Sequence, residues 1–119
     1  MGNTQFEALR GVDFTITENE FVAIVGPSGS GKSTTMHIMG LLDSPSNGEY
    51  FLDGKETSRF NSNEQAFYRN QKIGFIFQQF FLLSKLTALD NVDLPLLYRN
   101  VPRHERQKKA LAMLDHVGM

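Results

Sequence analysis

Gly26-Pro27-Ser28-Gly29-Ser30-Gly31-Lys32-Ser33 follows directly on the apolar run Phe21-Val22-Ala23-Ile24-Val25. It leads into residues 33–42, where Ile38, Leu41 and Leu42, with Met36 and Met39 beside them, recur at helical spacing. A short, continuous apolar run rich in β-branched residues fits a strand buried on both faces of a mainly parallel sheet. Strand, glycine loop and helix therefore come in the order that a phosphate-binding loop requires. Gly26, Gly31, Lys32 and Ser33 satisfy the pattern G-x-x-x-x-G-K-[ST], which a chain of this length meets by accident only about a few times in a thousand. Each residue type has a mechanical reason. Glycines let the backbone curl so that several N–H groups cradle phosphate, while the following helix turns its positive end to the same anion. Lys32 supplies a mobile cation for the β- and γ-phosphates, and Ser33 a hydroxyl for Mg²⁺. The expected ligand is ATP with magnesium, bound by Gly26, Pro27, Ser28, Gly29, Ser30, Gly31, Lys32, Ser33 and Thr34.

Upstream, Leu9, Val12, Phe14 and Ile16 alternate with polar neighbours over residues 8–16, the pattern of a strand or two with one wet face, and Glu18-Asn19-Glu20 reads as a turn. Downstream, Pro45 and Asn47-Gly48 end the first helix, and residues 49–52 form a strand that stops at the turn pair Asp53-Gly54. Ser62 with Gln65 is a capping-box pattern for a helix over residues 64–71. Ile73-Gly74-Phe75-Ile76-Phe77 is a second buried strand that delivers Gln78 and Gln79 to its C-terminal end, where open α/β sheets place their ligand chemistry. Thr87 and Asp90 form another capping box, and Pro102 suits the first turn of a last helix through Leu111, Leu114 and Val117.

With 40% hydrophobic and 21% charged residues, the 119-residue chain lies far from the composition of disorder and suits one domain or part of one. Twelve basic against thirteen acidic residues leave a net charge of -1, so no global field draws it to nucleic acid, and phosphate recognition must be local. Without cysteine there is neither a disulfide framework nor a thiolate metal site. No apolar run approaches the ~20 residues of a membrane span, and the N-terminus lacks a signal-peptide pattern, so cytosol is the default location. His37, His104 and His116 show no ligand spacing. Arg103, Arg106, Lys108 and Lys109, with Glu105 and Asp115 nearby, read as a solvated helix face.

The glycine loop with Thr34, taken together with Ile73-Gly74-Phe75-Ile76-Phe77-Gln78, resembles the ATP-binding subunit of ABC transporters, the second stretch looking like that family's Q-loop. Gly40-Leu41-Leu42-Asp43, Gly48-Glu49-Tyr50 with Asp53-Gly54, and Leu86-Thr87-Ala88-Leu89-Asp90-Asn91-Val92 with Leu94-Pro95-Leu96 support the match. Within the family the chain looks most like the branch serving lipoprotein release and macrolide or peptide export. The resemblance implies an α/β P-loop NTPase core, mainly a parallel sheet with flanking helices, plus an antiparallel β portion and the start of a helical subdomain. The core would span residues 4–78 and the helical start residues 79–119, all within one partial domain, residues 1–119. It gives Gln78 the role of contacting Mg²⁺ and the attacking water, chemistry that a carboxamide performs without adding charge; Ser33 and Gln78 are then the metal ligands. Gln79 has no such role. The resemblance also implies a transmembrane permease partner, a second ATP-binding subunit, and a cytoplasmic place on the inner face of the cell membrane. Phe80-Phe81-Leu82-Leu83 is open to two readings, a docking face for that partner or packing against the helices that follow.

The family further implies a Leu-Ser-Gly-Gly-Gln-type signature, an apolar strand ending in Asp before a catalytic Glu, and a switch histidine, none of which occurs in these residues. The adenine-stacking aromatic would lie upstream of residues 4–12; Phe6, the nearest, matches an ordinary strand position. The expectation is an N-terminal portion of an ABC-type ATPase domain, inactive alone. Two other classes fit the loop: a small P-loop kinase, against which Gln78 argues, and a nucleotide-binding module that regulates a partner without turnover.

Overall fold

The structure is a computed structural model and describes residues 9–119; Phe6, Ala8 and the beginnings of the expected 8–16 strand and 4–78 core lie outside the described residues. It divides into two compact units, one ending at Ala66 and the other Phe67–Met119.

In the first unit, α1 (Lys32–Met39) rises from the glycine loop, and β1 (Phe51–Leu52) pairs antiparallel with β2 (Lys55–Glu56). The hairpin closes as its turn pair demands. Asp53 and Gly54 both take positive φ, 51° and 77°, the backbone of the two-residue turn that matches strand twist. Thr57 extends the pairing by donating its backbone N–H (2.8 Å) and its hydroxyl (3.0 Å) to the Tyr50 carbonyl, and it is buried. Tyr50 in turn donates its phenol to the carbonyl of Met39 at 2.7 Å, joining the hairpin to the last turn of α1. The expected turn at residues 18–20 is present: Glu20 N–H bonds the Thr17 carbonyl, and the Glu20 carboxylate accepts from Thr17 N–H at 2.8 Å.

Three helices end in the same way. α1, α3 (Ala88–Tyr98) and α4 (Arg103–His116) each place a left-handed residue just past the cap, Leu41, Asn100 and Gly118 with φ of 58°, 57° and 80°. In each, that residue and the next bond back to the last turn, as Leu41 N–H does to Ile38 and Leu42 N–H to His37. Glycine and asparagine suit the position; leucine does not. Leu41 is held there because its side chain is only 2% exposed. Burying a leucine stabilises by about 1.5–3 kcal/mol, enough to offset the roughly 1–2 kcal/mol of left-handed backbone. α1 accordingly stops at Met39, short of the expected residue 42.

α2 (Ser62–Lys72) starts two residues before the expected residue 64, because the capping box is Asn61 with Glu64. Asn61 Oδ1 accepts from Glu64 N–H at 2.8 Å and Glu64 Oε1 accepts from Asn61 N–H at 3.3 Å. A carboxylate near the positive end of a helix is a better partner than the neutral Gln65. Gln65 instead donates to Ser44 Oγ at 2.9 Å.

In the second unit α3 and α4 pack together around an ion pair. Thr87 caps α3 as expected, its hydroxyl accepting from Asp90 N–H at 3.1 Å. Pro102 is the N-cap of α4 rather than a first-turn residue, and the helix ends at His116.

The expected strands at residues 9–16, 21–25 and 73–77 are not formed. The described residues contain one sheet, the two-stranded β1-β2 hairpin, and no parallel ladder. Phe21, Val25 and Ile76 are almost wholly exposed. An apolar run specifies a preference for burial, but a strand also needs a hydrogen-bonded neighbour, and no described segment supplies one.

Candidate functional site

The glycine loop is organised by short-range bonds. Ser30 N–H bonds the Pro27 carbonyl at 3.2 Å, Gly29 and Gly31 take φ of 80° and 93°, and a Cβ on Gly26 would lie 2.7 Å from Ser30 Oγ. Each of these glycines therefore has a separate need, two for a left-handed backbone and one for a close approach. Gly31 is the N-cap of α1 and offers no side chain to the first-turn amides, which leaves those N–H groups for an anion. Lys32 folds back along the loop, donating Nζ to the carbonyl of Gly26 and, at 3.0 Å, to that of Pro27. An ammonium has three N–H donors, so one is left for a further acceptor. Thr35, which the sequence pattern does not mark, donates Oγ1 to the Gly31 carbonyl at 2.9 Å and fixes the left-handed residue to the helix. Its signal was a threonine four positions after that glycine, the spacing of helical back-bonding. The Ser28, Ser33 and Thr34 side chains make no hydrogen bond among the described residues, and Ser33 is exposed.

The donor set fits a magnesium-bound triphosphate: convergent backbone amides and one cation for phosphate, and a hydroxyl on the first turn of the helix for a hard metal. Residues 26–34 lie together on one loop and helix start. Gln78 belongs to the second unit, at a bend where both it and Gln79 are exposed.

Around Gln78, Phe75 stacks on Phe77 at 5.5 Å and Phe77 meets Phe81 edge-on at 4.9 Å, while Phe80, Phe81, Leu82 and Leu83 are all exposed. The side chains of that run are thus not buried against the helices that follow. The basic cluster is also not a uniformly solvated face. Arg106 Nε donates to the buried Asp93 carboxylate at 3.0 Å and Nη1 to the Val101 carbonyl at 3.3 Å, whereas Lys109 pairs with Glu105 on the exposed side. Arg106 is drawn inward because Asp93, buried between α3 and α4, requires a counter-charge.

Two groups near the hairpin are perturbed. Burial raises the Tyr50 phenol above its ordinary value, and the hydroxyl and backbone N–H of Ser58 hold the Glu56 carboxyl below its own. Neither belongs to the phosphate loop.

The family model described as ABC transporter matches residues 9–119. The chain belongs to the ABC transporter family. Among ABC proteins it is 50% identical over its whole length to an uncharacterized ABC transporter ATP-binding protein of Thermotoga maritima, covering 51% of that protein. It is 52% identical over 119 residues to the macrolide export ATP-binding/permease protein MacB of Chlorobaculum tepidum, covering 18% of it. With the lipoprotein-releasing system ATP-binding protein LolD of Aquifex aeolicus it shares 43% identity over 114 residues, 51% of that protein. A solved structure titled as the dimeric post-hydrolysis state of the ATP-binding cassette MJ0796, bound to ADP and Pi, matches with a TM-score of 0.86 and 47% identity, covering 97% of this chain and 51% of that one. The ABC fold class expected from the glycine loop is thereby established, a P-loop NTPase cassette. The chain spans about half the length of the ATP-binding relatives it matches. No helix among the described residues is long and apolar enough to cross a membrane.

Proposed function

We propose that this chain binds ATP with magnesium through residues 26–34 and forms the phosphate-binding part of an ABC ATPase that drives export or lipoprotein release. The observation that carries the reading is the loop itself, with left-handed Gly29 and Gly31, an uncapped α1 N-terminus, and Lys32 spanning the loop from the first helical position. The amides of residues 28–33 receive phosphate oxygens, the spare Lys32 N–H adds a charge-assisted bond, and the Ser33 hydroxyl is a metal ligand. Magnesium, when bound, neutralises charge on the phosphate oxygens as the γ-phosphoryl leaves. Gln78 offers its carboxamide oxygen to the metal and orients the attacking water.

The core at residues 4–78 and the helical-subdomain start at residues 79–119 are parts of a longer cassette, whose remaining strands cover the runs at residues 21–25 and 73–77. The name of MacB, an ATP-binding/permease protein, and the dimer of the solved cassette support a transmembrane permease partner and a second ATP-binding subunit; the protein then sits on the cytoplasmic face of the membrane. These 119 residues alone do not turn ATP over, because they hold no signature, no Asp-Glu strand end and no switch histidine.

Titration of labelled ATP into Lys32→Ala and Lys55→Ala tests the reading. Loss of a charge-assisted phosphate contact, about 1.5–3 kcal/mol, weakens binding roughly ten- to a hundredfold in the first variant. Lys55, on the hairpin, gives no loss. Equal effects remove the assignment.

A further inference from the structure

Residues 73–82, which carry Gln78, have almost no backbone anchorage of their own. Inside the segment the bonds are Phe81 N–H to the Gln79 carbonyl at 3.1 Å and Leu82 N–H to the Phe80 carbonyl at 2.7 Å, both between neighbours two apart. At its start Ile73 N–H bonds back to the Arg69 carbonyl at 3.0 Å, and the residues that flank the segment are tied by side chains to α3 and its C-cap. Upstream, at the end of α2, Asn70 is held by Arg99, which donates Nε to Asn70 Oδ1 at 2.7 Å and Nη2 to the Asn70 carbonyl, while Asn70 Nδ2 donates to the Pro95 carbonyl at 3.2 Å. Downstream the anchor is Asn91, on the first turn of α3. Its Oδ1 accepts from Leu83 N–H at 2.9 Å, and its Nδ2 reaches the carbonyls of Thr87 at 2.9 Å, Leu83 at 3.2 Å and Leu86 at 3.4 Å.

A carboxamide is a copy of a peptide group, with one face that accepts and one that donates. Asn91 uses both faces on the same residue, pairing the N–H and C=O of Leu83 as a neighbouring strand would, and spends its remaining reach on the loop just before α3. Aspartate could accept from Leu83 but donate to nothing; alanine could do neither. Among the described residues the segment is therefore a strap fastened at its flanks by side chains of Asn91 in α3, of Arg99 at the C-cap of α3 and of Asn70, with Asn91 next to the half that holds Gln78.

We propose that Asn91 is a positioning residue for Gln78: it fixes Leu83 to α3 and thereby limits where the Gln78 segment can lie. The inference rests on the role given to Gln78 above. On the 119-residue chain, nuclear magnetic resonance of Asn91→Ala and Asn91→Asp reads the effect directly. In Asn91→Ala the Leu83 amide exchanges about fivefold faster or more, as for loss of a net hydrogen bond. Backbone order parameters at residues 78–82 fall from rigid values toward the flexible range below about 0.6, while amides of α4 keep wild-type exchange. Asn91→Asp, keeping the acceptor alone, gives an intermediate result at Leu83. ATP affinity in chelator is unchanged, and the gain in affinity on adding magnesium shrinks in Asn91→Ala. Wild-type order parameters at residues 78–82 in Asn91→Ala overturn the proposal, as does faster exchange spread equally over α4, which marks general destabilisation. A loosened strap with an undiminished magnesium gain overturns it too, since the clamp then does not place Gln78. Absence of ATP binding in the unsubstituted chain would instead sink the proposed function, leaving the exchange and order-parameter results to judge the clamp.

Discussion

The glycine loop and the Gln78 segment are both proposed to meet the same nucleotide, yet they are held in opposite ways. The loop is closed by bonds between residues no more than six apart, with Lys32 Nζ reaching Gly26 and Pro27 and Thr35 Oγ1 reaching Gly31. The segment at residues 73–82 is held through its flanks, Leu83 by Asn91 and Asn70 by Arg99, both of the α3 region. A self-bonded loop keeps its shape wherever it is carried. A strap takes its position from the body that fastens it, so its ligand moves when that body moves. The difference separates an element that keeps its own shape, the glycine loop, from one whose place is set by its neighbours, the segment that carries Gln78.

The strongest way to separate the two is to loosen the scaffold of the strap without touching the loop. Asp93→Ala strands Arg106 in the α3–α4 interface, where the two side chains are 6% and 18% exposed. Breaking a buried pair by removing one partner costs about 3 kcal/mol. Urea unfolding of residues 67–119 should record that loss, while ATP affinity in chelator stays at the wild-type value. Glu105→Ala, which breaks the exposed i,i+4 pair with Lys109, should cost under about 0.5 kcal/mol. A drop in ATP affinity in chelator in Asp93→Ala would show that the loop also leans on α3 and α4, and the contrast would fail.

A substitution inside the loop should do the reverse. Gly31→Ala forces a Cβ onto a residue with φ of 93°, at about 1–2 kcal/mol. Relief comes only by opening the loop, so ATP affinity should fall about tenfold while amide exchange in α3 and α4 is unchanged. Wild-type affinity would mean that the loop is less strictly shaped than its bonds suggest.

The smallest expected effect concerns the far end of α1, where the Tyr50 phenol bonds the Met39 carbonyl. Burial raises its pKa above 10.0. A group raised on folding contributes stability that is complete below the unfolded value and lost as pH rises through the folded one. Alkaline titration above pH about 10 should therefore loosen the hairpin from α1, and Tyr50→Phe should remove that step. Persistence of the step in Tyr50→Phe would assign it to another group.

Much of the site was legible because its bonds are local. The glycines, Lys32 and Ser33 stand in a spacing that closes on itself, and the Asp53-Gly54 turn and the Thr87 cap likewise join residues only three or so apart. Where local choices compete, sequence pattern was less reliable: Asn61 with Glu64 took the cap of α2 from Ser62 with Gln65, the charged acceptor winning at the positive helix end.

By itself, the order of residues determined the loop, the hairpin turn, the helices and, through residues 9–119, membership of the ABC transporter family. Tertiary structure alone decided that Leu41 sits left-handed to stay buried, that Arg106 leaves the solvated face for Asp93, and that Asn91 fastens Leu83. It also decided that the apolar runs at residues 21–25 and 73–77 carry no ladder among the described residues. The physical reason is common to all four. A bond to a near neighbour is encoded by spacing, whereas burial, a counter-charge and a strand partner depend on which distant residues the fold brings alongside.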